Sequence, residues 1–86
     1  MKISFPNVDP VVMPSGAIAF PAQVDRQFIT VEITEEALRQ HFGAKSRNPH
    51  DLITAFISGK SRIQKVARRR IPLAPAGRYL LVAADF

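Results

Sequence analysis

The stretch Ala17-Ile18-Ala19-Phe20-Pro21-Ala22-Gln23-Val24-Asp25-Arg26-Gln27-Phe28-Ile29-Thr30-Val31-Glu32-Ile33-Thr34-Glu35-Glu36-Ala37-Leu38 carries two alternating segments and then a change of period. Successive side chains of a strand point to opposite faces. Ile18, Phe20 and Val24 therefore share one side of a first strand, and Ile29, Val31 and Ile33 share one side of a second. Asp25-Arg26 between them predicts a hairpin turn. Pro21 has no N–H to give to a ladder, so its strand is expected at an edge or with a bulge at that residue. Thr34 then opens a helix: its hydroxyl can accept from a free backbone N–H, and Glu35 and Glu36 sit at the positive end of the helix dipole. Ala37, Leu38, His41 and Phe42 share a helical face, and Gly43 supplies the left-handed position that ends it.

Upstream, Ile3 and Phe5 alternate with Lys2 and Ser4 before Pro6, a pattern that predicts a short first strand. Asn7-Val8-Asp9-Pro10 has turn chemistry, and Val11-Val12-Met13 adds a short extended piece before Pro14-Ser15-Gly16. Downstream, Asn48 caps a second helix with Pro49 at its first position and Asp51 in its first turn. Leu52, Ala55, Phe56, Ile63, Val66 and Ala67 keep one helical register through Gly59, so a single helix from Pro49 to about Arg69 is expected. Gly59 either bends it or lets another backbone approach closely. Ile71 to Gly77 reads as a loop. Arg78 to Phe86 reads as a strand with apolar residues on both faces, which places Tyr79 to Ala84 inside the sheet with neighbours on each side. The expected fold is a single α+β domain spanning 1–86, with a mostly antiparallel sheet of three to four strands and two helices in the order β-β-β-α-α-β. The long second helix packs on one sheet face.

With 86 residues, 47% of them apolar, the chain has enough apolar surface for one core and too little length for two domains. The absence of cysteine removes disulfides, thiolate metal sites and thiol nucleophiles. No apolar run is long enough for a signal segment or a membrane span, so a cytoplasmic protein without membrane contact is expected. The net charge of +5 is uneven. Residues 1–43 hold three basic and five acidic side chains, whereas residues 44–86 hold nine and two. Such a cationic half favours encounter with nucleic acid or an acidic protein.

Lys2-Ile3-Ser4-Phe5-Pro6-Asn7, Glu36-Ala37-Leu38-Arg39-Gln40-His41-Phe42-Gly43-Ala44 and Ala84-Asp85-Phe86 together resemble the short bacterial proteins of the domain of unknown function 1488 family. The resemblance spans essentially the whole chain. It implies a small bacterial α+β domain and carries no activity, ligand or catalytic residue to any position. It also implies glycine after the aspartate of the hairpin turn, where this chain has Arg26.

The second helix holds the one constellation that points to binding. At 100° per residue Arg62, Lys65 and Arg69 fall in a sector of about 60° opposite the apolar face, with Arg68 to one side and Thr54 and Ser58 extending the stripe. Cations beside small hydroxyls suit a phosphate backbone. The same pattern also suits a solvated helix face whose arginines complement the C-terminal dipole. Lys45, Ser46 and Arg47 precede the free N–H groups of that helix and form a weaker candidate anion site, opposed by Asn48 and Asp51.

His41 and His50 lack partners at helical metal-site spacing, and adjacent His50 and Asp51 point about 100° apart. There is no nucleophile motif and no phosphate-cradling glycine loop. No cofactor is expected. Phe28 and Tyr79 are expected on the sheet face opposite Ile29, Val31 and Ile33, where they suit packing, dimerisation or base stacking. The reading from sequence is a non-enzymatic binding module, with polyanion or nucleic-acid association through the second helix as the leading idea. A homodimeric or protein-interaction subunit is the alternative, and an enzyme without a recognisable motif is the third.

Overall fold

The computed structural model describes residues 1–74 and 79–86. Five strands, β1 (Ile3–Ser4), β2 (Val11–Val12), β3 (Ile18–Val24), β4 (Gln27–Ile33) and β5 (Leu80–Leu81), form one sheet. Three helices, α1 (Glu35–His41), α2 (Pro49–Ser58) and α3 (Lys60–Arg70), lie between β4 and β5 in sequence. The sheet order is β1-β3-β4-β5, with β2 also paired to β3. All pairings are antiparallel except β4 with β5. That parallel pair follows from the connection, because a strand can return in parallel only after a long crossover, here made by the three helices.

The hairpin β3–β4 is the centre of the molecule. Its register sets Ile18 opposite Ile33, Phe20 opposite Val31 and Ala22 opposite Ile29, so both apolar sets face the helices. Of the two loop residues only Asp25 takes positive φ, at 55°. Aspartate tolerates that region better than most residues, and its backbone and carboxylate both bond to Lys2, accepting at Oδ1 from the Lys2 N–H at 3.0 Å. The turn therefore makes no demand for glycine at Arg26.

Pro21 lies in a strand with neighbours on both sides, not at an edge. The Asp25 N–H points toward β1, and alternation sends the Pro21 nitrogen to the same flank. There β1 pairs only with Gln23 and Val24, and β2 only with Ala19 and Ile18. Pro21 occupies the gap between them, so its missing donor costs no ladder bond.

The helices begin and end as their residues dictate. Thr34 Oγ1 accepts from the Ala37 N–H at 3.1 Å, Asn48 Oδ1 accepts from the His50 N–H at 2.9 Å, and Gly43 stands at φ 72° after α1. Leu38, Leu52 and Ile63 from the three helices are fully buried against Ile18, Val31, Ile33 and Leu81.

Two expectations are corrected. The second helix is not continuous: it stops at Ser58 and restarts at Lys60, with Gly59 at φ −101°, ψ 11°. A Cβ on Gly59 would lie 2.1 Å from Phe42 Cδ1, so the ring of Phe42 occupies the space a side chain would need. The apolar register survives because a single residue interrupts it, and Phe56 and Ile63 on either side are both buried.

The last strand is an edge strand of two residues rather than an interior one. Leu81 is buried in the core, while Leu80 and Val82 face outward and are 49% and 38% exposed. No described residue covers that side, so apolar residues on both faces did not mean burial on both. Asp85 accepts from the Val82 N–H at 2.8 Å and turns residues 83–85 into a 3₁₀ turn. The expected loop residues 75–77 and the expected strand start at Arg78 lie outside the described residues. No described helix is long and apolar enough to cross a membrane.

Two substitutions check this packing in urea unfolding. Ile63→Ala should cost about 2–5 kcal/mol, since the side chain is fully buried. Gly59→Ala should cost about 1–3 kcal/mol through overpacking against Phe42. In an unobstructed helix the same change is stabilising by about 0.5–1 kcal/mol.

Candidate functional site

Helix α3 reads Lys60-Ser61-Arg62-Ile63-Gln64-Lys65-Val66-Ala67-Arg68-Arg69-Arg70, six cations and no acid. Ile63, Val66 and Ala67 are buried, and Ser61, Arg62, Lys65, Arg68, Arg69 and Arg70 are exposed. With no residue of opposite sign on the helix, the way each cation is anchored decides how much charge the surface presents.

Arg62 lies with its guanidinium carbon 5.2 Å from the centre of the Phe42 ring and 5.8 Å from that of Phe86. These rings meet edge to face at 5.1 Å. Arg68 lies 5.1 Å from the ring of Phe5 and donates through Nη1 to the Ile3 carbonyl oxygen at 2.7 Å. The partners of both arginines are uncharged. An aromatic face attracts a guanidinium through its quadrupole without neutralising it, so both side chains are oriented and remain fully cationic toward solvent. Arg70 pairs with Asp85 at 3.3 Å. The described residues show no ion pair for Lys60, Lys65 or Arg69.

The break at Gly59 bears on the stripe read from the sequence. Arg62, Lys65 and Arg69 share α3 and so keep their common sector. Thr54 and Ser58 belong to α2, and the Thr54 hydroxyl donates to the His50 carbonyl oxygen of its own helix at 2.8 Å.

Ahead of α2, the Ser46 hydroxyl donates to Asp51 at 2.7 Å and accepts from the Asn48 N–H at 3.0 Å. Arg47 reaches Glu35 at 3.3 Å, and that carboxylate oxygen also receives Arg39 at 3.2 Å. Lys45 is exposed. The geometry therefore does not join Lys45, Ser46 and Arg47 into one cluster. Sequence reading named Asn48 and Asp51 as opposing this site, and both engage Ser46, but it did not name Glu35, the partner of Arg47, which comes from another helix.

The aromatic residues divide. Phe28 stands on the outer sheet face, 69% exposed, while Tyr79 is half-buried against the core. The pairing of these two on one face is thus corrected: Tyr79 follows Leu81 toward the helices. Phe5, Phe42 and Phe86, which no local pattern connects with the basic helix, are the residues that orient Arg62 and Arg68. A depression of about 590 Å³ opens on the outer side and includes Thr30, Glu32, Glu35 and Glu36, an acidic surface. His41 packs 5.9 Å from Phe86, and His50 is exposed in the first turn of α2.

A family model described as "Protein of unknown function (DUF1488)" matches residues 3–81. No curated protein and no solved structure matches the chain.

Arg68 fastens β1 to α3, so Arg68→Gln should speed amide hydrogen exchange at Lys2, whose N–H bonds to Asp25 Oδ1, at Ser4, and at Asp25, whose N–H bonds to the Lys2 carbonyl. Lys65→Gln should leave exchange at those amides unchanged. Equal rates in wild type and Arg68→Gln would show that the anchor does not hold β1.

Proposed function

The chain belongs to the DUF1488 family, and from the geometry of its own residues we propose that it is a non-enzymatic binding module that associates with phosphate polyanions through helix α3. The observation that carries this reading is the anchoring of the cations. Six of the eleven residues of α3 are basic, and among the described residues only Arg70 of these six has a carboxylate partner. Elsewhere Arg39 and Arg47 share Glu35, whose single carboxylate offsets one of their two charges. The contrast supports a surface whose charge is kept available.

The non-enzymatic part of the reading draws on where the polar groups are engaged. Thr34, Ser46, Asn48 and Asp51 all serve helix starts, and Thr54 bonds its own helix. Nucleophilic chemistry needs a hydroxyl free to meet a base. A second reading, a homodimer that covers the outer sheet face, is favoured by the exposure of Phe28 and Leu80 at 69% and 49%.

Fluorescence anisotropy with a short duplex tests the first reading. For about three phosphates engaged, the logarithm of the binding constant should fall against the logarithm of salt with a slope of about −2 to −3. Changing Arg62, Lys65 and Arg69 together to Gln should reduce both slope and affinity with the circular dichroism spectrum unchanged, since Gln is a good helix former. Changing Lys45 and Arg47 to Gln should alter little. If no polyanion binds at low salt the reading fails. A solution mass of twice 9.5 kDa, lost on Phe28→Ser, would then support the homodimer.

A further inference from the structure

We infer that the polyanion is double-stranded nucleic acid, held by its backbone with little base preference; this rests on the polyanion reading of α3. Binding of single strands draws much of its affinity from bases stacked on exposed rings, about 1–3 kcal/mol per base. On this side of the molecule the rings are already covered. Phe42 and Phe86 lie under Arg62, and Phe5 lies under Arg68. Among the described residues Phe28 is the one phenylalanine or tyrosine that stands exposed, on the outer face of the sheet away from the helices, and the exposed ring of His50 lies in the first turn of α2, not on α3. A surface of cations without stacking platforms keeps only the electrostatic term. That term is larger for a duplex, whose counterion release per phosphate gives a slope of about −0.9 against about −0.7 for a single strand.

An anionic membrane fits less well. A helix that enters a bilayer surface offers apolar side chains beside its cations, whereas each exposed residue of α3 is Ser61 or a cation. An acidic protein chain lacks the regular repeat of a phosphate backbone. Arg62, Lys65 and Arg69 are spaced along α3 at about 4.5 and 6 Å by the helical rise, a linear row suited to a linear row of phosphates.

At Arg62 and Arg68 the anchors work against base reading. Arg62 lies down on two rings and Arg68 on a third, with one of its N–H groups already spent on Ile3. Neither extends freely from the helix, as an arginine reading guanine in a groove must.

The test is equilibrium binding of the full chain, at low salt, to two mixed-sequence DNA duplexes, one constituent single strand, poly-L-glutamate, and vesicles containing phosphatidylserine. The expected result is affinity for the two duplexes equal within about twofold, and at least about fivefold above the single strand, as binding by charge density alone requires. Poly-L-glutamate and vesicles should bind more weakly than either duplex. If any of these three binds as tightly as the duplexes, the duplex inference is overturned while the polyanion reading of α3 stands. If the duplexes differ by more than about tenfold, beyond what the sequence-independent charge term allows, backbone-only recognition is overturned. If none of the probes binds, the polyanion reading itself falls.

Discussion

The ring of Phe42 sits where a side chain at residue 59 would be, and the shape of the helical layer depends on that contact. Phe42 is the residue at which α1 ends, and Gly59 is the residue at which α2 passes into α3. Because Gly59 has no Cβ, the end of the first helix can lodge against the junction of the other two, and the chain there leaves helical geometry at ψ 11°. The same ring meets Phe86 edge to face and underlies the guanidinium of Arg62. One close approach thus divides the long helix, ties residue 86 to the helices and orients the first exposed cation of α3. Loss of a single hydrogen atom's worth of space at residue 59 would disturb all three.

The sheet is constrained from its rims as well as from its core. At one rim Arg68 donates to the Ile3 carbonyl, a group of β1 that points away from β3. At the other, β5 is only two residues long, and Asp85 takes the Val82 N–H. Short strands and charged side chains laid against free backbone groups are the usual defence of an edge against pairing with another chain. The outer face is less guarded, since Phe28, Val11 and Leu80 are exposed on it. The rims therefore argue against assembly by strand addition, and any contact with a second copy would have to use the flat of the sheet.

Where local chemistry decides structure, the sequence was legible. The alternation of Ile18, Phe20 and Val24 with Ile29, Val31 and Ile33, the capping oxygens of Thr34 and Asn48 and the left-handed Gly43 are all realised, because each depends on neighbours a few residues away. The α+β class and the family resemblance follow from the same segments. The misreadings have one cause. Gly59 interrupts the helix against the ring of Phe42, seventeen positions earlier, and β5 lies at an edge because no described strand pairs with its far side. Neither fact has a local signature. The basic stripe was legible as a periodicity, but its anchors were not, since Phe5, Phe42 and Phe86 reach α3 from three different parts of the chain.

Those anchors bear on how a small domain can hold uncompensated charge. Six cations on eleven residues repel one another, and the repulsion disfavours the compact state unless something offsets it. Ion pairs would offset it by cancelling charge, as Glu35 does in part for Arg39 and Arg47. On α3 the offset comes instead from ring faces and a backbone carbonyl, which stabilise a guanidinium while leaving its net charge intact. A helix face that was cationic only for solubility would be served equally well by carboxylate partners. Neutral anchors keep the field strong and fix two of the cations in place, which under the proposed polyanion binding would lower the entropy lost on association.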